Sequence, residues 1–220
     1  MLDEKARCGS ETGFLINRNW TIATPVETGE AEADKARKAL ETLWSPDLIG
    51  PWGVYLSALD DRMMTISTGC FAVAFARWGQ PERALDLLLR LCATFGKGGP
   101  GMLSEMSPDD GCSVQGWTSY ALFTPVVRHL FGVQPGGHKP LRLAPCMPAT
   151  WKDVSLKHVR LPGGWLDLRW QAENDRAMLT LRADHPLHLL LEPSGFRCGE
   201  HDIRLHALRP VTLTLIRTDG

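Results

Sequence analysis

The spacing of apolar residues changes near residue 135, and this change constrains the fold more than any other feature. Before it, apolar residues recur every three or four positions, which is the period of an amphipathic helix; after it, they alternate with polar residues, as in a half-buried strand. A Gln-Pro-Gly-Gly linker at 134–137 marks the change. The pattern predicts an α+β protein, with a helical part over residues 1–135 and an antiparallel β-sandwich over residues 136–220.

Four helices are predicted before the linker, over residues 30–44, 63–78, 81–95 and 113–130. The second is apolar nearly all round, which predicts burial on several sides. A short Gly-Gln-Pro connection makes the second and third an antiparallel hairpin, and Pro125 is expected to kink the fourth. Segments 45–57 and 96–101 are predicted as loops because glycine and proline are concentrated there, and segment 19–29 is interpreted as a loop that caps the first helix.

Composition excludes several classes of protein. The chain has 220 residues with 24 basic and 25 acidic side chains and no basic stripe, so binding to nucleic acid has no support. No apolar run reaches the roughly 18 residues that a membrane span needs, and the charged N-terminus does not resemble a secretory signal. The six cysteines contain no Cys-x-x-Cys pair and are expected to be reduced, as in the cytoplasm. No metal or cofactor is implied, because the seven histidines lack metal-ligand spacing.

The most informative segment for chemistry is 102–117, a glycine-flanked loop that leads into a helix. Glu105 lies there close to Asp109 and Asp110, with Gln115 and Trp117 following. A site that cleaves sugars needs a carboxylate to activate water and flat apolar faces to hold the ring. The alternative interpretation is that the three acidic side chains only solvate a surface loop.

Two further segments carry candidate binding residues. Trp52 and Tyr55 lie in a glycine-containing stretch and form either a platform for a sugar ring or a plug at the end of a helical bundle. Glu27 lies in segment 19–29, where Thr28 or Gly29 serves equally well as a cap for the following helix.

Taken together, these segments resemble the C-terminal half of six-hairpin glycoside hydrolases of the amylo-α-1,6-glucosidase or α-L-rhamnosidase kind. The resemblance covers roughly residues 19–185 and rests on the following ordered motifs: Thr-Pro-Val-Glu-Thr-Gly-Glu-Ala at 24–31, Trp-Gly-Val-Tyr-Leu-Ser at 52–57, Met-Met-Thr-Ile-Ser-Thr at 63–68, Ser-Glu-Met-Ser-Pro-Asp-Asp-Gly at 104–111, Gln-Gly-Trp at 115–117 and Leu-Ala-Pro-Cys-Met-Pro-Ala-Thr-Trp at 143–151. It implies that the helices form part of an α/α-toroid, a partial six-hairpin barrel, followed by the sandwich.

The resemblance also implies roles for residues. Glu105 corresponds to the general base that activates water in an inverting hydrolysis of α-glucosides or α-rhamnosides. Glu27 is expected on a loop at the catalytic face, Trp52 and Tyr55 in the sugar pocket, and Gln115 with Trp117 at the start of the helix behind the base. The implied partner is therefore a carbohydrate substrate.

The chain departs from this family in two ways. Only four helices are predicted where the family has six hairpins, and the general acid, which normally lies upstream, has no match here. We therefore expect a fragment, with a partner or a second copy of the chain completing the barrel, and self-association through exposed apolar faces. Two other interpretations stay open: a non-catalytic carbohydrate-binding or structural remnant, and a lyase or phosphorylase on the same scaffold.

Overall fold

The computed structural model describes residues 18–57, 60–113, 115–134 and 140–218. Helices and sheets occur together, which confirms the predicted α+β class. The chain divides into two compact units between Pro125 and Val126. Residues 135–139 of the predicted linker lie outside the described residues, so the domain boundary at residue 135 stays a prediction.

The described part of the first unit contains five α-helices, followed by a π-helical segment that reaches into the second unit. Their bounds are α1 Arg18–Thr28, α2 Ala33–Leu43, α3 Thr65–Arg77, α4 Pro81–Cys92, α5 Gly116–Phe123 and the π-helical segment Thr124–Leu130. Helix α3 is central: residues 65–76 are all buried, and α1, α4 and α5 pack against it. No helix within the described ranges combines the length and apolarity needed to cross a bilayer.

Helix α1 corrects the prediction of a loop over residues 19–29, and it places Glu27 in a helical turn instead of on a loop. Pro25 lies inside this helix, although proline lacks the N–H that a helix interior uses. Ala23 and Val26 are almost fully buried, and the Trp78 indole N–H donates to the Val26 carbonyl at 2.8 Å. Burial of these side chains and the hydrogen bond from Trp78 offset the loss of the backbone hydrogen bond that Pro25 cannot donate.

A small antiparallel sheet in the first unit was not predicted. Its strands follow the order β1-β2-β3-β4 and are β1 Ile49–Gly50, β2 Gly53–Ser57, β3 Asp60–Met64 and β4 Met106–Ser107. The segment around residues 45–57 was interpreted as a loop because it is rich in glycine and proline. Pairing of β3 with β4, about 40 residues away, completes the sheet, and local spacing carries no signal for such a contact.

The helix predicted over 113–130 changes its hydrogen-bond register at the predicted kink. Beyond Pro125 the chain is π-helical, with the Phe131 N–H donating to the Val126 carbonyl at 2.9 Å, five residues back. A π-helical turn is a known way to absorb an irregularity within a helix.

The second unit is a β-sandwich built around a shared apolar core. The strands are β5 Val133–Gln134, β6 Leu141–Leu143, β7 Asp153–Leu161, β8 Gly164–Glu173, β9 Arg176–Ala183, β10 Leu187–Leu191, β11 Phe196–Cys198, β12 Asp202–Leu205 and β13 Val211–Arg217. They form two sheets, β12-β10-β6-β5 and β11-β13-β9-β8-β7, whose inward leucines pack around Trp170. One feature differs from the predicted antiparallel sandwich: β6 and β10 pair in parallel. Parallel strands need a long connection between them, and β7–β9 provide it.

We predict that Gly69→Ala destabilises the helical unit. A Cβ at Gly69 would lie 2.2 Å from the Ala121 Cα, where α3 and α5 meet. Helix propensity alone would favour alanine by up to about 1 kcal/mol, but overpacking of this kind costs about 1–3 kcal/mol. Urea unfolding followed by circular dichroism measures the difference.

Gly116→Ala is the matched control, because a Cβ there would meet nothing within 4 Å. We expect it to be neutral or slightly stabilising. A gain in stability for Gly69→Ala would contradict the close approach of α3 and α5.

Candidate functional site

The carboxylate loop, which we define as residues 104–112, is tied at both ends of Glu105. The Glu105 carbonyl accepts the Thr65 N–H at 2.9 Å, and the Glu105 N–H donates to the Cys112 carbonyl at 3.0 Å. The Cys112 N–H donates to Oε2 of Glu105 at 3.1 Å. Glu105 itself is only partly buried. Its carboxylate is therefore oriented by the backbone and still reaches solvent.

Thr65, at the first residue of α3, supports the loop from below. Its hydroxyl donates to the Ser104 carbonyl at 2.7 Å and lies 3.0 Å from the Ser107 hydroxyl. All three of these residues are buried. Hydrogen bonds buried in this way are strong. If one partner is removed, the other is left buried without a hydrogen bond, which costs its full desolvation free energy.

Gly111 closes the loop in a left-handed conformation, with φ of +79°. A Cβ at this position would lie 3.0 Å from Oε2 of Glu105 and 3.1 Å from its Cβ. The glycine thus allows the backbone to pass directly beside the Glu105 side chain.

The aromatic corner, defined as Gly50, Trp52, Tyr55 and Met63, lies on the small sheet. The Trp52 N–H donates to the Met63 sulfur at 3.2 Å. A Cβ at Gly50 would meet both the Tyr55 ring, at 2.7 Å, and the Met63 sulfur, at 2.8 Å. Because Met63 pairs with Ser107 across β3 and β4, this corner is joined to the carboxylate loop.

Lys97 covers the indole of Trp52. Its ammonium lies 4.1 Å from the ring centroid, a cation–π contact. The neighbouring Gly98 packs on the carboxylate loop, since a Cβ there would lie 2.0 Å from the Ser104 hydroxyl. The predicted sugar platform therefore carries a positive charge on its face.

Glu27 belongs to a different group, the Glu27 network, which we define as Glu27, Cys70 and Tyr120. The Tyr120 hydroxyl donates to Oε1 of Glu27, and Cys70 lies beside the same carboxylate. Burial, together with the negative charge and hydrogen bond of Glu27, raises the pKa of the Cys70 thiol well above its ordinary value. Cys70 thus stays a protonated thiol at neutral pH.

The two faces of the small sheet separate these groups. Met64 and Met106 pair with each other and pack in one cluster with Cys70 and Tyr120. Met63 and Ser107, the next positions along each strand, point to the opposite face. The structure therefore joins Trp52 and Tyr55 to the carboxylate loop through Met63 and Ser107, and brings Glu27 to the face of Met106.

Gln115 and Trp117 lie at the start of α5, as the resemblance implies. The Gln115 carbonyl accepts the Thr118 N–H at 3.2 Å and the Thr118 hydroxyl at 2.8 Å. Its side-chain Oε1 is buried without a hydrogen-bond partner among the described residues. Trp117 is 45% exposed and belongs to neither the aromatic corner nor the Glu27 network.

Sequence reasoning missed three residues of this region: Lys97, Cys70 and Tyr120. Tyr120 was assigned only to the apolar face of its helix, yet it is one of two tyrosines, and a buried tyrosine hydroxyl usually finds a partner. Lys97 is the single charged residue in the glycine-rich segment 96–101, and this isolated charge could have indicated a binding role.

Within the described ranges, no group of three or more His, Cys, Asp or Glu side chains is arranged to hold a metal ion. Cys70, Cys92 and Cys198 are not disulfide-bonded within the described part of the chain, and Cys8 lies outside the described residues.

No family model and no curated protein matches the chain. A solved structure described as "Putative kojibiose phosphorylase from human microbiome" is similar to it, with a TM-score of 0.47 and 12% sequence identity. The similarity covers 88% of this chain and 22% of that protein, so the chain spans about a fifth of that protein's length.

We predict that Gly111→Ala destabilises the chain more than Gly101→Ala does. Both glycines are left-handed, with φ of +79° and +72°, so each substitution carries a backbone cost of about 1–2 kcal/mol. Only the Cβ at position 111 also meets Glu105, whereas nothing lies within 4 Å at position 101. Urea unfolding of both variants measures the difference, and equal losses would contradict the packing of Gly111 on Glu105.

Proposed function

We propose that the chain is the base-carrying portion of a glycoside hydrolase that cleaves O-glycosidic bonds of the α-glucoside or α-rhamnoside type with inversion. The observation that carries this proposal is the fixation of Glu105. Its backbone is bonded to Thr65 and Cys112, its Oε2 accepts the Cys112 N–H, and the side chain still reaches solvent. A general base needs both a fixed direction and access to water.

In this proposal the second carboxylate oxygen of Glu105 accepts a proton from water. The water oxygen forms a bond to the anomeric carbon on the face opposite the leaving group. The bond to the glycosidic oxygen breaks as that oxygen takes a proton from the general acid. The Cys112 N–H holds the other carboxylate oxygen, Oε2, in place. Inversion follows because the water enters opposite the departing sugar.

The aromatic corner supports the assignment of a saccharide substrate. Trp52 and Tyr55 offer flat apolar surfaces, which bind the faces of sugar rings, and both are joined to the loop of Glu105 through Met63 and Ser107. Gln115 and Trp117, which open α5, complete the proposed binding residues, together with Glu27.

An inverting hydrolase needs a second carboxyl group, as general acid, about 6.5–9.5 Å from the base. Glu27 is engaged by Tyr120 and Cys70 in this structure. This observation favours a second candidate function, in which the chain binds a carbohydrate without cleaving it. The hydrolytic proposal requires the acid to come from a partner or a second copy of the chain.

We expect Glu105→Gln to abolish hydrolysis, lowering kcat by at least about a hundredfold, because an amide cannot accept the proton. Aryl α-glucosides and aryl α-rhamnosides serve as substrates, and NMR of the released sugar shows the anomer formed first. Asp109→Asn is the matched control, since it removes one exposed carboxylate from the same loop and is expected to keep activity.

Three outcomes separate the hypotheses. Retained activity in Glu105→Gln would remove Glu105 from the mechanism. Binding of maltooligosaccharides or rhamnosides by calorimetry, without product from the unsubstituted chain, would support the carbohydrate-binding function. Product formation only when inorganic phosphate is present would replace hydrolysis by phosphorolysis.

We also propose that the chain associates with a second copy of itself. Four large apolar side chains of the first unit are strongly exposed: Leu89 at 59%, Phe95 at 57%, Trp117 at 45% and Phe123 at 62%. Covering such side chains favours association. We expect sedimentation at about micromolar concentration to show dimers or larger species that Phe123→Ser weakens. A monomer throughout this range would contradict the proposal.

A further inference from the structure

Lys97 is held against the carboxylate loop by its neighbours in the chain. The Gly96 N–H donates to the Met102 carbonyl at 2.9 Å, and the Lys97 N–H donates to the Thr94 carbonyl at 3.0 Å. Gly98 fits against Ser104 so closely that a Cβ there would collide with the hydroxyl of that serine. The backbone on both sides of Lys97 is therefore fixed, with Gly98 packed against Ser104 of the carboxylate loop.

Among the described residues, the ammonium of Lys97 lies near an aromatic ring and forms no ion pair. Several other cations of this unit pair with carboxylates, for example Lys35 with Glu32 at 2.9 Å and Arg90 with Asp86 at 2.7 Å. Among the residues that the structure describes, no carboxylate pairs with Lys97, and its ammonium contacts the Trp52 indole instead.

We propose that Lys97 makes the Trp52 face a subsite for a saccharide that carries an oxyanion, such as the carboxylate of a uronic acid or a sugar phosphate. This specificity-determining role rests on the proposed function, in which Trp52 binds a sugar ring. An oxyanion on that ring accepts a charge-assisted hydrogen bond from the ammonium.

A neutral ring binds the same face at a disadvantage. Any ring that stacks there displaces the ammonium from the indole, and the lost cation–π contact lowers affinity by about twofold to fivefold. Only an anionic ring regains a contact with the displaced ammonium. Glu105, Asp109 and Asp110 would repel an anion placed over the carboxylate loop. The oxyanion is thus restricted to the side of the ring that faces Lys97, which orients the saccharide as well as selecting it.

The test measures binding by calorimetry in the Glu105→Gln background, so that no ligand is consumed. The probes are a disaccharide that ends in glucuronic acid, the matching disaccharide that ends in glucose, and glucose phosphate. We expect the two anionic sugars to bind about tenfold more tightly than the neutral one at low salt, and the preference to shrink as ionic strength rises.

Three variants assign this preference to one charge. Lys97→Met should abolish it, and Lys97→Arg should retain it. Lys38→Met, which removes an exposed lysine from α2, is the matched control and should also retain it. If only glucuronic acid or only the phosphate shows the preference, that result identifies which oxyanion the subsite takes.

Equal affinity for anionic and neutral sugars, no binding of any probe, or an unchanged preference in Lys97→Met would each overturn the inference. These failures are distinct from failure of the proposed function. An oxyanion preference that depends on Lys97, in a chain whose hydrolysis does not depend on Glu105, would retain the subsite and discard the hydrolase mechanism.

Discussion

The buried start of helix α3 is the contact on which the candidate site depends. Thr65 binds the carboxylate loop through its N–H and its hydroxyl, so the position of Glu105 follows from the position of the most deeply buried helix of the unit. Apart from Met106, the loop consists mostly of polar residues and has little apolar packing of its own. The loop is therefore held in one conformation by its hydrogen bonds to α3, because a closely packed helix is itself rigidly positioned.

The small sheet distributes the candidate residues over two environments. One face carries the aromatic corner, where the Lys97 ammonium lies over the Trp52 indole. The other packs against Cys70 and Tyr120, which hold Glu27 by hydrogen bonds. A carboxylate held in this way is oriented by its donors.

Local spacing predicted those elements whose stability comes from one continuous face. Helix α4 starts at Pro81, as predicted, although its apolar spacing did not indicate that Ala84, Leu87 and Leu91 are the residues buried beside Leu88. Strand β8 buries Leu166, Leu168 and Trp170 in strict alternation. Helix α1 was missed because its Pro25 is a breaker by local rules, while the burial of Ala23 and Val26 decides the outcome.

The sequence by itself determined the α+β class, the alternating strands of the sandwich and the segment in which Glu105 lies. Only the tertiary structure decided that β3 pairs with β4, that β6 lies parallel to β10, and that Lys97 covers Trp52. The reason is physical: helical and strand periods are encoded between near neighbours, whereas these contacts join residues some 40 or more positions apart. Such contacts depend on which buried faces pack together in the folded chain, and the local spacing of residues does not predict this.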